Sequence, residues 1–257
     1  MQIIIKISND VIRYDKDVRI QLIPTSLYLR GRYKKFSREL PQTAWNCYEC
    51  HGRKFDKEGN ICTACKGEGR IFKTSVQELI EEVLIEYTGA EEGVFHGSGR
   101  EDYNARCLGS GRPFVIKAKR PKKRKIDLNA LQNEVNNRYG SLINITPLDY
   151  SNKNEVVEIK NSAKKMRKRY HALVILSETI TKQEFHKKLT ESKNILIGKQ
   201  VEQETPIRVV KRRADKIRIK SIYDVEGKYI DPLHILLKIE AQGGTYIKEL
   251  ISGDGGR

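Results

Sequence analysis

The 257-residue chain carries 49 lysines and arginines against 33 aspartates and glutamates, a formal charge of +16 and a pI near 9.6, which predicts a polyanionic partner, nucleic acid first. No apolar run approaches the roughly 20 residues of a membrane span, and no signal-peptide pattern opens the chain, so no membrane partner and a cytoplasmic protein are expected. The length accommodates two unequal folded units.

In chain order, the opening MQIIIKIS predicts a strand, and QLIPTSLYLRGRYKKFSREL interleaves basic and aromatic residues in a small β-containing module. Cys47, Cys50, Cys62 and Cys65 then form two CxxC pairs, followed by HGR and KGEGR. Paired spacing of this kind predicts two knuckles around a structural zinc rather than disulfides or free loop thiols. Four sulfur ligands leave no open coordination position, so the metal is not expected to be catalytic, and His51 reads as a loop residue rather than a ligand. Ser75 and Glu78 read as a capping box opening a helix with Val76, Leu79, Ile80, Val83, Leu84 and Tyr87 at helical spacing before Gly89.

The next segment, HGSGREDYNARCLGSGRPF (96–114), crowds glycines and arginines around one acidic pair, Glu101 and Asp102. Glycines let the backbone approach a partner closely, and Arg100, Arg106 and Arg112 can fork onto phosphate or hold a carboxylate ionised. Neither GSGRED nor GSGRPF has the GKS or GKT ending of a phosphate-binding P-loop, so no nucleotide cofactor is expected. Helices are predicted near 128–138 and, opened by Thr181 and Glu184, over 182–192. Strands are predicted at 114–118, 142–146, 170–176 and 217–222, and most clearly at 233–241, where Leu233, Ile235, Leu237, Ile239 and Ala241 share one face at period two. The elements make a mixed α+β fold. Basic runs at 120–125 and 164–169 each adjoin a predicted strand.

Read together, three distant segments resemble the tRNA pseudouridine synthases of archaea and eukaryotes that act on the TΨC arm, and the likeness runs from Ser26 onward. GRED matches the family segment that carries the catalytic aspartate, here Asp102; where the family often has a second aspartate two positions later, this chain has Asn104. KRYHALVIL (168–176) is similar to the family strand whose tyrosine, here Tyr170, stacks on the target uracil. GGTYIKEL (243–250) resembles the GTYIR segment of bacterial TΨC-loop synthases, which implies Lys248 as partner of the aspartate and Ile247 beside the base. VEQETPIRVVKRRADKIR (201–218) matches a basic family segment, implying tRNA backbone contacts for Arg212 and Arg213; Arg100, Arg106 and Arg112 are further candidate substrate contacts.

The resemblance implies a pseudouridine synthase core over 74–257, with a central, mostly antiparallel sheet flanked by helices. Residues 1–73 would form a small N-terminal RNA-binding module with the zinc knuckle and a partial THUMP-like fold. It implies a monomeric enzyme with tRNA as partner, isomerising uridine at position 55 or 54 by base flipping, with no cofactor for catalysis. Asp102 would attack base or ribose, or withdraw a ribose proton. The second reading is a zinc-stabilised, non-catalytic RNA-binding protein, or one piece of a larger synthase, because the family has a longer N-terminal region and continues past Arg257 into a segment lining the uracil pocket.

Overall fold

A computed structural model describes residues 25–210 and 214–256. The strand expected in MQIIIKIS, and Arg212 and Arg213, lie outside the described residues. Packing divides the chain into two units, Met1–Lys160 and Asn161–Arg257. Helices and antiparallel sheets make up both, in keeping with the mixed class expected.

In the first unit, β1 (Leu27–Lys35) is central to an antiparallel sheet of order β2-β3-β1-β4, where β2 is Glu92–Gly97, β3 Cys107–Lys119 and β4 Ile143–Ile145; β5 (Asp149–Ser151) also pairs with β1. Alternation along β1 buries Leu27, Leu29, Tyr33 and Lys35 on one face, the period-two pattern of a half-covered strand. Helix α1 (Val76–Thr88) starts where expected, with the Ser75 side chain accepting from Glu78 N, and stops at Gly89, which adopts the left-handed conformation. Its Val76, Leu79, Ile80, Val83 and Leu84 are buried with Phe95, Phe114 and Ile116 of the sheet and Leu131 and Val135 of α2 (Leu128–Tyr139). Burying each such side chain contributes about 1.5–3 kcal/mol, so the set together far outweighs the roughly 1 kcal/mol of the cap. Helix α3 (Lys153–Ser162) follows β5.

The second unit is built on a sheet of order β6-β9-β8-β7, with β6 Arg167–Ile175, β7 Gln200–Gln203, β8 Arg218–Asp231 and β9 His234–Gln242. Helix α4 (Lys182–Leu196) opens with the complete capping box of Thr181 and Glu184, and α5 (Ile207–Val210) and α6 (Ile247–Ser252) are short. Ile235, Ile239 and Ala241 are buried on β9 as expected. Leu233 departs from that stripe: it lies in the β8–β9 turn, 39% exposed, because the Asp231 carboxylate accepts from the backbone N–H of Leu233 and His234 at 2.9 Å and closes the turn there. Among the described residues no helix is long and apolar enough to cross a membrane.

Candidate active site

Two similar turns bring the four cysteines together. His51 N donates to Cys47 O at 2.9 Å and Gly67 N to Cys62 O at 3.2 Å, and the residue pairs after the second cysteine of each knuckle, His51–Gly52 and Lys66–Gly67, all have positive φ. That reversal costs least at glycine. All four thiols are buried, and their sulfurs lie within 4.8 Å of one another. Cys47 and Cys62 Sγ are 3.8 Å apart, Cys50 and Cys65 Sγ 3.7 Å. Burial acts to raise the Cys50 thiol, but the amides of Lys54 and Gly52 outweigh it and bring it down to about 7, whereas burial pushes Cys65 up to about 11. His51 is exposed, as a loop residue should be. The cluster is a donor set for a thiophilic metal ion.

The GRED segment forms the loop between β2 and β3. Its two acids are held differently. Glu101, with a side chain only 6% exposed, receives the Tyr33 hydroxyl at 2.8 Å and pairs with Arg112 Nε at 2.7 Å. Gln42 Nε2 in turn donates to the Tyr33 oxygen at 2.8 Å and to Gly99 O at 3.0 Å, and Arg112 donates to Ser98 O at 2.8 Å. Burial, then the Glu101 charge, pushes the Tyr33 phenol well up, so it stays a donor. Asp102 is gripped by its main chain: the buried ammonium of Lys35 donates to Asp102 O at 3.3 Å, Tyr103 O at 2.6 Å and Leu40 O at 2.7 Å. Burial lowers the Lys35 amine. Arg38 adds a bond to Asn104 O at 3.0 Å. Arg100 stands over the Trp45 ring, 5.1 Å from its centroid, while Arg106 is exposed.

The other expected residues belong to the second unit. Tyr170 lies on β6 opposite Ile239 of β9, half-buried on the face shared with Lys168, Ala172 and Val174; Arg167, Arg169 and His171 alternate onto the exposed face. Arg169 and Arg167 pair with Glu240 at 2.7 and 3.6 Å. The GGTYIKEL segment turns from β9 into α6. A Cβ at Gly243 would sit 2.1 Å from the Ala163 carbonyl oxygen, so no other residue fits there without moving the chain. The carboxamide of Gln203 clamps Tyr246, donating to its carbonyl at 3.0 Å and accepting from its N–H at 2.9 Å. Ile247 packs on the unit's apolar core, and Lys248 is exposed.

The Pus10 C-terminal model matches residues 28–257. The chain belongs to the Pus10 family. The Pus10 match takes in both cysteine pairs, the GRED loop, the Tyr170 strand and the Lys248 turn. A tRNA pseudouridine synthase Pus10 of Methanothrix thermoacetophila is 42% identical over 243 residues, covering 95% of this chain and 50% of that protein. The Pus10 of Methanothermobacter marburgensis is 42% identical over 240 residues, 93% of this chain and 56% of that one. The chain thus spans about half the length of the curated Pus10 relatives it matches. Among solved structures, a chain of a Cbf5–Nop10–Gar1 complex aligns with a TM-score of 0.40 at 15% identity, over 70% of this chain and 40% of that one. The sequence patterns do not single out Tyr33, Lys35, Gln42 or Gln203. Lys35 had a readable signal, its place in register with Leu27, Leu29 and Tyr33 at period two.

Proposed function

We propose that this chain is the catalytic portion of a tRNA pseudouridine synthase acting in the TΨC arm, at position 55 or 54. Pus10 relatives named tRNA pseudouridine synthase support the reaction. The GRED match assigns the catalytic acid to Asp102, and one observation supports the choice between the two loop acids: Glu101 is buried and bound to Tyr33 and Arg112, a structural role. The isomerisation breaks the N1–C1′ bond, turns the uracil and joins C5 to C1′, with N1 gaining a proton as C5 loses one. An ionised Asp102 serves by attacking base or ribose, or by withdrawing a ribose proton.

The target nucleotide leaves its stack at a cost of a few kcal/mol. Tyr170 is assigned to stack on the extruded uracil, offsetting roughly 1–3 kcal/mol of this. By the family resemblance Lys248 is assigned as the catalytic cation, Ile247 as an apolar neighbour of the base, and Arg100, Arg106, Arg212 and Arg213 as phosphate contacts. Arg112, already paired with Glu101, supports the loop. Treating an unmodified tRNA transcript with the chain and mapping the product should place pseudouridine at 55 or 54. RNA binding with no pseudouridine anywhere would leave only the non-catalytic reading.

The cysteine cluster is assigned to structural zinc. A Zn–S bond of about 2.3 Å implies a tetrahedral S···S edge of about 3.8 Å, which fits the pairs at 3.8 and 3.7 Å. Such an ion joins the two knuckles and takes no part in the isomerisation. Metal analysis should find one zinc per chain, with Cys47 and Cys62 unreactive until a chelator is added. Substoichiometric zinc with both thiols reactive in the folded protein would defeat the assignment.

A further inference from the structure

We propose that the four-cysteine knuckle is a positioning device for the catalytic loop, acting through Trp45, Phe72 and Tyr103; this rests on the assignment of Asp102 above. The metal ligands close the chain between Cys47 and Cys65, and the flanks of that closure run antiparallel. Cys47 N donates to Gly69 O at 2.9 Å and Ile71 N to Trp45 O at 3.1 Å, with Asn46 and Arg70 bridged between them. Arg70 anchors one flank to Glu78 of α1 at 2.5 Å.

This zipper sets Trp45 on one flank against Phe72 on the other, ring centroids 5.3 Å apart. Tyr103, the residue after Asp102, packs its ring against both, at 5.7 Å from Trp45 and 4.9 Å from Phe72. Arg100, two residues before Asp102, lies over the same indole, its guanidinium 5.1 Å from the Trp45 centroid. The loop is therefore held on both sides of its carboxylate by side chains whose own placement depends on the knuckle being closed. Edge-to-face aromatic packing and a cation over an indole both weaken once the rings separate. A carboxylate displaced by about 1 Å loses up to about a hundredfold in rate.

Trp45 is the only tryptophan in the chain, so its fluorescence reports on this junction without a label. Chelating the metal from the full chain is expected to shift Trp45 emission to longer wavelength. It should also speed amide hydrogen exchange at residues 100–105, while Val115 and Ile116 in the sheet stay protected. In metal-bound protein, Tyr103→Leu is expected to lower kcat about 10- to 100-fold with KM for tRNA nearly unchanged, and Tyr103→Phe, which keeps the ring, to retain most of the rate. Metal removal that leaves the exchange of 100–105 untouched would overturn the proposal. If chelation unfolds the whole unit, the metal-bound variants decide: Tyr103→Leu with undiminished kcat overturns it equally. Asp102 failing as the catalytic acid is a separate result, seen as full activity of Asp102→Asn with unaltered fluorescence and exchange.

Discussion

Asp102→Asn is expected to yield a folded, tRNA-binding protein whose rate of pseudouridine formation falls at least about 10²-fold, the lower end of what a positioned proton-transferring group supplies. The substitution keeps shape and removes charge. It therefore abolishes all three candidate roles of the carboxylate, nucleophile toward base or ribose and base toward a ribose proton. Folding should survive, because asparagine matches the shape of aspartate and the Glu101–Arg112 pair beside it is left in place. Single-turnover conversion of an unmodified transcript, alongside a thermal melt, is the measurement; conversion within a few-fold of the parent chain would remove Asp102 from the mechanism.

Glu101→Gln carries the opposite expectation, a loss of about 3–5 kcal/mol in stability from leaving the Arg112 charge buried without its partner. Both side chains are almost enclosed, at 6% and 12% exposure, so solvent screens little of this. The Tyr33 hydroxyl keeps an acceptor in the glutamine, but the carboxylate's second tie is lost. Such a loss consumes much of the 5–15 kcal/mol that a domain typically has. Urea unfolding should show it, and the paired replacement Glu101→Leu with Arg112→Met should recover part of it by removing both charges together. Single-variant losses below about 1 kcal/mol would mean that the pair contributes no more than an exposed ion pair does. The adjacent acids thus separate cleanly, one read by product and the other by stability.

The contiguous signals are legible in the sequence itself. Ser75 with its apolar stripe and Gly89, Thr181 with Glu184, and the alternation of Ile235, Ile239 and Ala241 are all local patterns, and the elements formed where those patterns lie. The cysteine knuckles were legible for the same reason, since ligand spacing is a property of a short segment. What was not legible depends on partners far along the chain. β2 went unread because EGVFHG offers only Val94 and Phe95 as apolar residues, and its edges are fixed by pairing with β3. α6 has no side-chain cap at Tyr246, and its start is set by Gln203, 43 residues away. GRED singles out Asp102, but the structural commitment of Glu101 depends on Tyr33, 68 residues upstream, and on Arg112.

Lys35 grips the loop that carries Asp102 through carbonyl oxygens, and every amino acid has one. The Lys35 hold is therefore indifferent to which side chain position 102 carries, while the Tyr103 ring adds contacts of its own to Trp45 and Phe72. By contrast the lysine itself tolerates no exchange: arginine is too large for an enclosed site shaped around an ammonium, and a neutral side chain abandons three carbonyls at once. Stability, read by a thermal melt, should thus tolerate replacement at position 102 far better than at the buried Lys35.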